Sequence, residues 1–99
     1  MTHIKPSEVE MVGRWLVAPG GVEADDAARR IEKLTTSYLR EVSQSDDGWS
    51  VLYEDPIDGR YWELTYPQSE MHGGGPPRLV VLEASEAERR YELRPRDPG

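Results

Sequence analysis

The chain has 99 residues, 36% of them hydrophobic and 31% charged, and 12 basic against 19 acidic side chains leave a net charge of −7. That length holds one small domain, and the sign of the charge argues against nucleic acid and anionic membranes as direct partners, since both repel it. There is no cysteine, which excludes disulfides and thiol chemistry, and no apolar run nears the roughly 18 residues of a membrane helix.

Met1 to Pro6 shows no apolar signal region, and the lack of cysteine fits the cytosol. Residues 1–10 read as a polar N-terminal extension in which Pro6 and Ser7 open a helical turn. Met11 to Ala18 reads as a strand, stopped by Pro19-Gly20-Gly21, and Val22-Glu23-Ala24 returns as a short second strand. Apolar residues at Ala27, Ile31, Leu34, Tyr38 and Val42 recur at steps of three and four. That spacing predicts a helix from Asp26 to Val42, with Asp25 as its N-cap. Trp49, Val51 and Tyr53 then alternate with Ser50, Leu52 and Glu54 as the first strand of a hairpin. Asp55-Pro56-Ile57-Asp58-Gly59 supplies a type I turn. Arg60 to Tyr66 returns with Trp62, Leu64 and Tyr66 on one face and Tyr61, Glu63 and Thr65 on the other, and Pro67 ends it.

Residues 68–77 form a Gly- and Pro-rich loop. Arg78 to Leu82 is nearly all apolar, as expected of a central strand covered on both faces. Ser85-Glu86-Ala87-Glu88 fits a capping box and opens a short helix to Leu93. Residues 94–99 are a flexible tail. The order predicts a single α+β domain over residues 11–93: a mainly antiparallel sheet of four to five strands, one long helix on one face and a short C-terminal helix.

Catalytic patterns are scarce. No nucleophile elbow is present, and His72 is the one imidazole outside the N-terminal residues. Glu70 and His72 offer two metal ligands where a catalytic zinc needs three. Gly73, Gly74 and Gly75 either expose backbone N–H groups to an anion or let the loop turn sharply. A calcium loop centred on Gly59 fails, because Pro56 and Thr65 stand where oxygen donors are required.

Two features remain. Between Arg40 and Arg60 there is no basic residue, but there are Glu41, Asp46, Asp47, Glu54, Asp55 and Asp58, expected to be exposed. They are either a face that steers a basic partner or a solvating surface. The second feature is the aromatic, Met-, Gly- and Pro-rich stretch from Tyr61 to Pro77, either a recognition loop or a plug over one end of the sheet.

The stretch from Asp58-Gly59-Arg60-Tyr61-Trp62-Glu63-Leu64-Thr65-Tyr66-Pro67 through Gln68-Ser69-Glu70-Met71-His72-Gly73-Gly74-Gly75-Pro76-Pro77 resembles the signature of the immunity protein 27 family. Val12-Gly13-Arg14-Trp15 and the Arg30-Ile31-Glu32 to Leu34 helix segment fit it too, over roughly residues 11–83. The resemblance implies a non-catalytic protein that binds and neutralises a cognate toxin domain of a bacterial polymorphic toxin system, in the cytoplasm, as a monomer or weak dimer and without a cofactor. The partner-binding candidates are Asp46, Asp47, Glu54, Asp55 and Asp58, for a basic toxin cleft, and Tyr66, Glu70 and His72 in the loop. Trp15, Trp62, Pro67, Gly73, Gly74 and Gly75 are motif or structural positions. The alternative is a small ligand- or metal-binding module or enzyme built on the Glu70–Gly75 loop.

Overall fold

The computed structural model describes residues 3–67 and 75–93. Its elements run β1 (Glu10–Val12), β2 (Trp15–Ala18), β3 (Gly21–Ala24), α1 (Asp26–Ser37), β4 (Arg40–Gln44), β5 (Val51–Glu54), β6 (Tyr61–Thr65), β7 (Arg78–Leu82) and α2 (Ala84–Arg90). Five strands form an antiparallel sheet in the order β1-β7-β6-β5-β4, and β2 and β3 form a separate two-stranded sheet. The fold is α+β, as expected from the sequence.

The pleat sorts the side chains of the large sheet. Tyr53, Trp62, Leu64, Leu79 and Met11 point to one face and enclose Ile31 and Leu34 of α1. Leu52 and Tyr61 point to the other and meet Ala87 of α2, with Leu82 and Tyr91 beside them. The alternation read from Trp62 and Leu64 against Tyr61 and Glu63 is therefore correct, and each face carries its own helix. Glu63, buried under α2, is held there by the Tyr91 hydroxyl, which donates to Oε2 at 2.8 Å, and by Arg90 at 3.1 Å. Burial, and then the bond to Glu63, push the Tyr91 phenol well above its ordinary pKa, so it stays a donor.

Four expectations need correction. The segment Met11 to Ala18 is two strands in different sheets. The break is at Gly13, where a Cβ would stand 2.9 Å from the Ala28 Cβ and 3.0 Å from the Pro77 carbonyl oxygen; only a glycine lets the chain pass between them. Arg14 then takes the chain into the hairpin, its N–H donating to Asp25 Oδ1.

Helix α1 stops at Ser37, and residues 40–44 are the edge strand β4, not a further helical turn. In the last turn the Thr35, Thr36 and Ser37 hydroxyls donate to the carbonyls of Ile31, Glu32 and Lys33, a competition that weakens a helix end. Asp25 caps the start as expected, accepting from Ala28 N–H at 2.8 Å.

Strand β7 is interior, but the middle position belongs to β6. Finally, α2 begins at Ala84 after Glu83, with no side-chain cap. Ser85 therefore does not cap it, and Glu86 pairs with Arg89 and Arg90.

Residues 3–9 lack regular structure yet are tied down. Ile4 is buried in the core under α1. Arg30 donates to both Glu8 carboxylate oxygens at 2.5 and 2.7 Å and to the His3 carbonyl. Arg60 donates to the Glu8 and Lys5 carbonyls as well. The guanidinium of Arg30 holds the Glu8 carboxyl down from 4.5 to about 2. A carboxyl depressed in the folded state stabilises it above the unfolded pKa, and that contribution is lost as pH falls through the folded value. Both partners are partly solvated, which limits the effect. Glu8→Gln is expected to cost about 1 kcal/mol at neutral pH. In urea titrations the gap to the wild-type protein should shrink steadily from about pH 4.5 toward pH 2. A gap that is constant with pH would contradict this account.

Candidate functional site

The turn between β4 and β5 is built by its own polar side chains. Asp47 Oδ1 accepts from the Ser45 hydroxyl at 2.6 Å and from Trp49 N–H at 2.9 Å. Ser45 Oγ accepts from Ser50 N–H, and Ser45 N–H donates to the Ser50 carbonyl. Gly48 takes a positive φ of 76° to close the loop. The Ser45 hydroxyl, followed by the Trp49 N–H, lowers the Asp47 pKa. The turn presents Trp49 to solvent at 54% exposure. Its indole stands edge-on to Tyr66 at 6.4 Å and 75°, and Tyr66 is itself packed on the core.

The six acids between Arg40 and Arg60 divide into three kinds. Glu54 pairs with Arg40 across the β4–β5 ladder, and Asp58 pairs with Arg60 at 2.8 Å. Asp55 is only 1% exposed, which corrects the expectation that all six face solvent. Its Oδ1 accepts from the Tyr38 hydroxyl and Ile57 N–H at 2.8 Å and from Asp58 N–H at 3.3 Å. Burial, and then the bond to Asp55, raise the Tyr38 phenol to about 12. Asp55 is thus the keystone of the β5–β6 turn. Glu41, Asp46 and Asp47 are exposed and form no ion pair among the described residues.

Of the loop and motif positions, Glu70, His72, Gly73 and Gly74 lie outside the described residues. Gly75 is buried and Pro67 exposed at the two ends of that gap. Trp62 is fully buried at the centre of the sheet, with the Arg60 guanidinium 5.0 Å from its ring centroid. Trp15, Tyr66 and Gly75 are brought together. They line a cavity of about 440 Å³ between α1, the β2–β3 hairpin and the end of the sheet, along with Thr35 and Tyr53. The charged hairpin tip at Asp58 belongs to a different region. Among the described residues no three His, Asp or Glu side chains gather as metal ligands.

Two exposed apolar features escaped the sequence reading. Trp49 fitted the alternation of Val51 and Tyr53 and so read as the start of that strand. The distinguishing signal was local: Asp46-Asp47-Gly48 immediately before it is a turn, and strand β5 starts only at Val51. The second is the tip of the β2–β3 hairpin, where Val17 and Val22 form a cross-strand pair at 94% and 64% exposure.

The family model described as Immunity protein 27 matches residues 17–83. No curated protein and no solved structure matches the chain.

Proposed function

We propose, from the premise that the chain belongs to the immunity protein 27 family, that it binds a cognate toxin domain of a bacterial polymorphic toxin system and so protects the cell that makes both. The family match, which spans β3, α1 and β4 to β7, carries this reading. Family membership also points to a non-enzymatic role, acting by occupancy, one molecule per toxin. In this reading the inhibitor acts in the cytoplasm as a monomer or weak dimer. An interface of ordinary size takes about 800 Å² from each partner.

The test is protection. The toxin domain encoded beside this chain, expressed alone, should arrest growth, and co-expression of this chain should restore it. A catalytically inert form of that domain should co-elute with the purified chain as a one-to-one complex. Growth arrest that persists on co-expression, with the two proteins eluting separately, would refute the proposal.

A further inference from the structure

We propose that Trp49 is the anchor of the toxin-binding surface, and that the partner is a basic protein face that lays an arginine or lysine side chain on its indole. This deepens the reading above and rests on it.

Three observations meet at this point. First, Trp49 is exposed but not loose: Asp47 holds its backbone N–H, Ser45 ties the two sides of the turn, and Tyr66 braces the ring from the core. An aromatic side chain ordered in advance loses little freedom on binding, and tryptophan is the residue type most enriched among energetic anchors of protein interfaces. Second, Glu41, Asp46 and Asp47 lie on the same strand and turn and form no ion pair among the described residues, because Arg40 and Arg60, the flanking arginines, are engaged by Glu54 and Asp58. A negative field around a bare indole is complementary to a cation and strengthens its attraction to the ring face. Third, the same charge disfavours a nucleic acid on this surface. The exposed valines of the β2–β3 hairpin carry no comparable charge pattern, and they serve as the comparison site.

The experiment measures association of the full chain with the catalytically inert toxin domain encoded beside it, using wild-type protein, Trp49→Ala, Asp46→Lys and Val17→Ser. Trp49→Ala should weaken binding by about 30-fold or more, the range of an interface anchor. Asp46→Lys should slow association by about tenfold at low salt, with the difference narrowing as salt is added. Val17→Ser should stay within about threefold of wild type. Far-ultraviolet circular dichroism spectra should superimpose for Trp49→Ala and wild type, and the melting temperature should fall only slightly, since the ring meets the core at its edge contact with Tyr66. Unchanged binding by Trp49→Ala overturns the inference, as does a comparable loss in Val17→Ser. If the wild-type chain does not bind at all, the proposed function itself falls, and the anchor with it.

Discussion

Replacing Trp62 with alanine is expected to cost about 3–5 kcal/mol, a large share of the roughly 5–15 kcal/mol usual for a folded domain. The indole lies on the middle strand of the sheet: Tyr53 and Val81 flank it across β5 and β7, and Ile31 and Leu34 of α1 belong to the same core cluster. Alanine would open a void that the flanking strands cannot close without losing their ladder. It would also remove the ring beneath Arg60, the side chain that fastens residues 5 and 8. Trp62→Phe should be far milder, at about 1–2 kcal/mol. Phenylalanine keeps most of the apolar area and deletes an indole N–H that has no acceptor among the described residues. Urea unfolding followed by far-ultraviolet circular dichroism measures both. A loss below about 1 kcal/mol for the alanine variant would show that the sheet centre repacks freely.

The second large effect is expected at Asp55. Alanine there removes the acceptor of the Tyr38 hydroxyl and of two turn N–H groups at once. Donors left without partners at a buried turn make the expected cost about 2–4 kcal/mol. Asn retains Oδ1 and its three bonds and should lose only about 1 kcal/mol. Tyr38→Phe added to Asp55→Ala should cost less than the two changes made separately, because the hydroxyl has already lost its acceptor. Additive losses in that double-mutant cycle would mean that the hydrogen bond contributes nothing. Because Asp55 is shielded from solvent, a loss of toxin binding in Asp55→Ala would report the shape of the turn, not a removed contact.

Much of the architecture is legible in the residues. The alternation through Tyr61, Trp62, Glu63 and Leu64 assigns the two faces of the sheet correctly. Asp55 through Gly59 gives a turn with Gly59 at positive φ, and Asp25 caps α1. What misled was apolar spacing read without its polar context. Tyr38 and Val42 extend the helical stripe, yet three consecutive hydroxyl residues had already ended the helix, and Val42 instead packs among the α2-side residues. In the same way, Met11 to Ala18 is continuous in composition but is cut by a steric requirement at Gly13 that no local pattern reveals. The acidic run was visible, but its division was not: which carboxylate is paired, which is interred and which faces outward depends on Tyr38, Arg40 and Arg60, brought together only by the fold.

The ladder order has a consequence for how the molecule is made. Strands β4, β5 and β6 pair in succession, each within a short reach of the last, and can assemble as they leave the ribosome. Strand β1, although synthesised first, has no place until β7 emerges, since Met11 is paired with Leu79. Until then the apolar underside of α1 lacks part of its cover. A nascent chain halted before residue 78 therefore carries an orphaned leading strand, and the sheet is completed only once β7 has been made.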